Sequence, residues 1–127
     1  MITNVGTLDE IKKIVNTDPR IIILDFFANW CTPCQMFSPL LQELERSYNN
    51  KVLIILIDVQ KYPHIADAFK ITALPTLIFF FNKILWKNLT ITGADIGNVY
   101  DNVNILLTQH NDGETPLKRS IIYSPPN

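Results

Sequence analysis

The run Ile21-Ile22-Ile23-Leu24-Asp25-Phe26-Phe27 is apolar but for one residue, and it leads after Ala28-Asn29 into Trp30-Cys31-Thr32-Pro33-Cys34. A β-branched-rich run of this kind suits a strand buried on both faces. Helical spacing of apolar residues resumes just beyond it. The chain is therefore committed to a strand that runs into a helix, with its only two cysteines at the joint and two residues apart. In an intracellular chain this reads as a dithiol that opens and closes as a disulfide.

A chain of 127 residues makes one domain, large enough to bury a core without disulfide staples. A formal net charge of −1 gives no reason to expect nucleic acid or an anionic membrane as partner. No apolar run approaches the roughly 20 residues of a membrane helix. Met1 to Gly6 lacks the basic and apolar regions of a signal peptide, and two cysteines are too few for a structural disulfide framework. The expected compartment is a reducing one, most simply the cytosol, and the expected state a monomer.

Ile2 to Val5 reads as a short edge strand. Thr7 and Glu10 form a capping-box pattern ahead of a helix over about residues 8–16. Asp18-Pro19 makes a turn, Ile21 to Phe27 a strand, and a second helix runs from near Cys31 to about Tyr48. Met36, Phe37, Leu40, Leu41 and Leu44 give it an apolar face, and Pro39 inside it predicts a kink. Val52 to Ile57 is a strand, Pro63 to Phe69 a short helix, and Thr76 to Phe81 and Ile84 to Thr92 are strands joined by a hairpin at Asn82-Lys83. A last helix covers about residues 95–109. This order predicts an α/β fold: a central mixed five-stranded sheet flanked by helices on both faces. Residues 1–110 form the domain. Residues 111–127, rich in Asn, Asp, Gly, Pro and Ser, form a flexible extension in which Ile121-Ile122-Tyr123 offers a docking segment.

Disulfide exchange needs an accessible thiolate of lowered pKa, and a helix N-terminus lowers it through unpaired amides and the helix dipole. Cys31 is thus the attacking thiolate. Cys34, one turn further in and more buried, is the resolving thiol. Pro33 removes a donor the first turn does not use and pre-sets its φ. Asp25 inside an apolar strand is desolvated, which raises its pKa toward neutrality and suits it to exchange a proton with Cys34 through a water. The alternative is a carboxylate turned to solvent at a strand end. A zinc site needs about four ligands, and His64 and His110 supply no second cysteine pair, so no metal is expected. Met36 and Phe79 to Phe81 read as core and Trp86 as cover for the sheet edge. The Asn88-Leu89-Thr90 glycosylation pattern carries little weight without a secretory signal.

Asp25, Trp30-Cys31-Thr32-Pro33-Cys34, Pro39, Pro63 and Leu74-Pro75-Thr76 resemble the thioredoxin family in kind and spacing, and the resemblance runs from about Val5 to His110. It implies a thioredoxin-like fold, a cis peptide before Pro75 facing the cysteines, and backbone groups of Leu74 free to pair with an extended substrate segment. It also implies a substrate-binding surface of Trp30, Thr32, Pro33, Leu74, Pro75 and Gly93. No bound cofactor is implied, because the dithiol is the redox centre. The implied partners are disulfide-containing client proteins and an NADPH-linked thioredoxin reductase as electron donor. The chain departs from the family at Thr32, where glycine is usual; at Leu56, where a lysine commonly stands near the aspartate; at Phe27, where tryptophan is common; and at Lys83, in place of the hairpin glycine. Two extra residues lie between Leu77 and Gly93.

Three functions follow. The first is a protein-disulfide reductase acting through Cys31 and Cys34. The second is an oxidase or isomerase of the same fold, kept open by Thr32 because the residues between the cysteines tune the potential. The third is a binding scaffold, disfavoured by the joint presence of both cysteines, Asp25 and Leu74-Pro75.

Overall fold

The computed structural model describes residues 1–112 and 121–122, with side chains as far as residue 109. Helix α1 (Leu8–Thr17) begins at Thr7, whose hydroxyl oxygen accepts from the Glu10 amide at 3.1 Å. The Glu10 carboxylate in turn accepts from the Gly6 amide and the Thr7 hydroxyl, so Thr7 and Glu10 cap the helix as expected, with the return backbone bond at Gly6. Strand β1 (Ile21–Phe27) leads to α2 (Thr32–Ser47), then β2 (Val52–Asp58), α3 (Pro63–Ala68), β3 (Thr76–Phe81), β4 (Ile84–Leu85), β5 (Ile91–Thr92), α4 (Ile96–Asp112) and β6 (Ile121–Ile122).

The sheet is mixed, as expected. β1 lies between β2, parallel to it, and β3, antiparallel to it; β4 and β5 both pair with β3. Alternation along β1 divides the core in two. Ile21 and Ile23 pack with Phe37, Leu41 and Leu44 of α2 and Val99, Val103 and Leu106 of α4. Ile22, Leu24 and Phe26 pack on the other face with Ile11 and Val15 of α1 and Ile65 of α3. A strand apolar at nearly every position is thereby buried twice over, which is why its composition does not alternate.

Several expectations are corrected. Ile2 makes one parallel bridge to β2, donating to the Ile54 carbonyl and accepting from the Leu56 amide, and Ile2 to Val5 is not a strand. The chain leaves the sheet edge there to bring Gly6 against the Tyr62 ring, where a Cβ would approach to 2.8 Å. Ile84 to Thr92 is not one strand but two, separated by a 3₁₀ turn over Lys87–Leu89. Trp86 is buried and donates its indole Nε1–H to the Phe81 carbonyl, and buried Asn102 donates to the Leu89 carbonyl at 2.8 Å. Met36 and Leu40 are not core: they are 72% and 47% exposed. α2 buries only the stripe Cys34, Phe37, Leu41 and Leu44, and both residues lie beside that stripe.

The Asn82-Lys83 hairpin is as expected, with both residues at positive φ, 55° and 65°, as a two-residue turn with right-handed strand twist requires. α4 runs two residues past the expected domain boundary. Beyond it, Ile121–Ile122 pairs antiparallel with β4, so part of the expected docking segment lies on the sheet edge. The remainder of the extension lies outside the described residues.

Candidate active site

Cys31 occupies the position that precedes the first turn of α2, in an extended conformation, and its Sγ accepts a hydrogen bond from the Cys34 amide at 3.2 Å. Pro33 falls in the first turn, where its missing N–H leaves no bond unmade. Cys31 and Cys34 are joined as a disulfide with Cα atoms 5.3 Å apart. The expectation that Cys34 is the more buried is not met: Cys31 is 4% exposed and Cys34 7%. Leu74, Val59, Phe27 and Ala28 close around both sulfurs in a small apolar cluster. What separates the two cysteines is which opening each one lines.

Cys31 lines a groove of about 630 Å³ together with Trp30, Thr32, Pro33, Val59 and Leu74. Trp30 projects at its edge, 67% exposed. The Leu74–Pro75 peptide is cis, as the resemblance implied, and neither the amide nor the carbonyl of Leu74 has a hydrogen-bond partner among the described residues. Pro75 and Gly93 do not line the groove. They are joined to each other, the Gly93 amide donating to the Pro75 carbonyl at 2.8 Å, with Gly93 at φ 99°. Only glycine takes that conformation without strain.

Cys34 instead shares a cavity of about 160 Å³ with Asp25. Asp25 is 4% exposed, on the sheet face that α2 covers, between Leu56 of β2 and Leu77 of β3. Its Oδ1 is buried without a hydrogen-bond partner, and burial pushes its carboxyl up to about 7. This disposes of the alternative in which the carboxylate turns to solvent. The cavity is otherwise lined by Phe27, Ala28, Asn29, Gln35, Ser38 and Leu56, none of them charged.

The predicted residues therefore divide into a client-facing set, Trp30, Cys31, Thr32, Pro33 and Leu74, and an inner pair, Asp25 and Cys34. Sequence reasoning missed Val59 and Ile71 in the groove wall and Asn29, Gln35 and Ser38 around Asp25. Val59 is brought there by the sheet: it lies one residue past β2, and its amide donates to the Phe27 carbonyl at the end of β1. Among the described residues no group of His, Cys, Asp and Glu can hold a metal ion, and no helix is long and apolar enough to cross a membrane.

A closed cysteine pair at a helix N-terminus, beside a cis-proline loop and above a buried carboxyl, defines a thiol–disulfide exchange domain. The family model described as Thioredoxin matches residues 3–97, and the chain belongs to the thioredoxin family. It is 38% identical over 74 residues to thioredoxin Y1, chloroplastic, of Arabidopsis thaliana, a stretch that is 58% of this chain and 43% of that protein. It is 37% identical over 72 residues to thioredoxin-1 of Drosophila yakuba, 57% of this chain and 67% of that one. The chain thus spans less than half the length of the chloroplastic relative. Among solved structures, oxidised mitochondrial thioredoxin 3 from Saccharomyces cerevisiae superposes with a TM-score of 0.75 at 30% identity, over 83% of this chain and 95% of that one. Members of this family use the cysteine pair itself as the redox centre and need no cofactor.

Proposed function

We propose that this protein reduces the disulfides of client proteins, acting as a monomer in a reducing compartment, most simply the cytosol. The observation that carries the reading is the division of labour at the disulfide: Cys31 lines the client groove while Cys34 shares a separate, smaller cavity with Asp25. In the reduced protein the Cys31 thiolate gains from the Cys34 amide and the α2 dipole. It attacks one sulfur of the client disulfide, forming a mixed disulfide and releasing the first client thiolate. An extended client segment pairs with the free backbone of Leu74. The Cys34 thiol then gives its proton to the Asp25 carboxylate. Its sulfur attacks Cys31 Sγ, closing the Cys31–Cys34 bond and releasing the second client thiolate. Two electrons pass from the dithiol to the client. Restoring the dithiol takes two electrons and two protons from an external donor, for which an NADPH-linked thioredoxin reductase is the proposed source.

The test is the equilibrium potential of the Cys31–Cys34 couple, titrated against dithiothreitol and glutathione buffers with Trp30 fluorescence as readout. A value near or below roughly −250 mV supports the reductase. A value above roughly −200 mV, toward which Thr32 in place of glycine would act, assigns the protein to oxidation or isomerisation instead. The absence of a reversible transition leaves only a scaffold. Cysteine usage is the support for the cytosol, while relatives carry chloroplastic and mitochondrial names; a fluorescent fusion of the full-length protein decides the compartment.

A further inference from the structure

The cavity that holds Asp25 has a buried floor and an exposed rim. Asp25, Ala28 and Cys34 form the floor; Asn29 and Gln35 are exposed and form the rim. Across that rim the Gln35 side-chain amide donates from Nε2 to the Asn29 carbonyl oxygen. The half-buried Ser38 lies one turn further along α2. A volume of about 160 Å³ has room for a few waters, each occupying about 30 Å³ in the liquid.

We propose that Gln35 is a positioning residue whose hydrogen bond to Asn29 straps the mouth of this cavity, setting how far bulk water reaches Asp25 and hence how Asp25 passes on the proton it takes from Cys34. The proposal rests on the reading of Asp25 as acceptor of that proton. Its physical basis is that, among the described residues, no cation and no hydrogen-bond donor is paired with the carboxylate. β2 presents Leu56 to Asp25, β3 presents Leu77, and α2 presents Cys34 and Ser38, with no cation among them. The only other titratable group in the cavity is the Cys34 thiol of the reduced protein. A buried carboxylate without a cation or a donor relies on water, so whatever closes the water's path controls the group. Gln35 closes it with a neutral side chain, which adds no charge to the field at Asp25.

The test is a ¹³C-carboxyl NMR titration of the oxidised full-length protein, with Asp25→Asn identifying the resonance. Oxidation removes the Cys34 thiol from the titration. Gln35→Met keeps the length and bulk of the side chain but not the donor, and is expected to lower the Asp25 midpoint by about one pH unit or more, toward the ordinary carboxylate range. Gln35→Ala is expected to lower it at least as far. An unmoved midpoint in both variants overturns the proposal. A midpoint that moves in Gln35→Ala alone assigns the closure to bulk and overturns the hydrogen-bonded strap. The exposed position of Gln35 makes both variants compatible with folding, which far-UV circular dichroism checks. The readout needs no turnover, so a protein inactive toward disulfides would refute the reductase reading while leaving this test intact.

Discussion

Asp25 of β1 stands in register with Leu56 of β2, both on the sheet face beneath α2, so the one carboxyl in the strand faces an isobutyl group across the parallel ladder. With no cation beside it among the described residues, burial raises its pKa from 3.8 to about 7. A carboxyl whose folded pKa lies above its unfolded value favours the folded state where it is protonated in the native protein. That contribution is full below the unfolded pKa and is lost as pH rises through the folded one.

Asp25→Asn is therefore expected to be more stable than the wild type at about pH 8 and to lose that advantage near pH 4. The displacement from 3.8 to about 7 sets an upper bound on the order of 4 kcal/mol. Urea unfolding of both proteins at the two pH values measures the difference. A difference independent of pH would show that Asp25 titrates normally.

The same substitution is expected to slow the resolving step. Loss of a positioned base costs roughly 10²-fold, so client thiol release by Asp25→Asn should fall by about that factor at neutral pH. The wild-type rate should rise with pH through an inflection near 7 as Asp25 ionises, and the variant should lack that inflection. Stopped-flow measurement between about pH 5.5 and 8.5 reads both; equal rates would remove Asp25 from the mechanism.

Cys34→Ser is expected to retain Cys31 attack and lose resolution, accumulating a one-to-one mixed disulfide with a disulfide-containing peptide. Cys31→Ser should accumulate none. Intact-mass spectrometry distinguishes them, and trapping by Cys31→Ser instead would reverse the assignment of the two sulfurs.

Two backbone positions make opposite predictions. Gly93 holds φ at 99° with nothing within 4 Å of an added Cβ, so Gly93→Ala should cost about 1 kcal/mol through backbone strain alone. Lys83 already bears such a strain at φ 65° in the hairpin, and Lys83→Gly should stabilise by about 0.5–1 kcal/mol. Denaturant midpoints test both, and a shift of the wrong sign in either would mean that its turn rearranges.

The strand–helix joint at Ile21 to Cys34, the hairpin at Asn82-Lys83 and the mixed sheet were legible because each rests on local chemistry: apolar runs, a proline in a first turn, a polar pair between two apolar runs. A carboxyl inside an apolar strand pointed to Asp25 beside Cys34, whereas the groove residues Trp30, Thr32, Pro33 and Leu74 came from the family resemblance. Met36 and Leu40 were misread because helical periodicity specifies a stripe but not its width, and the width is set by how much of α2 the sheet covers. The strand over residues 84–92 was misread because Trp86 turns back onto the Phe81 carbonyl and Asn102 of α4 reaches the Leu89 carbonyl, side-chain bonds that an apolar run does not announce.

The sequence by itself determined that two thiols would meet at a helix start above a carboxyl in a buried strand, because covalent spacing and hydrophobic burial act over a few residues. Only the tertiary structure decided that Cys31 lines one opening and Cys34 another, and that Gln35 and Asn29 form the rim of the second. Those relations depend on how α2 and the loop before it pack over the end of the sheet, where cavities are set by side chains meeting from separate elements.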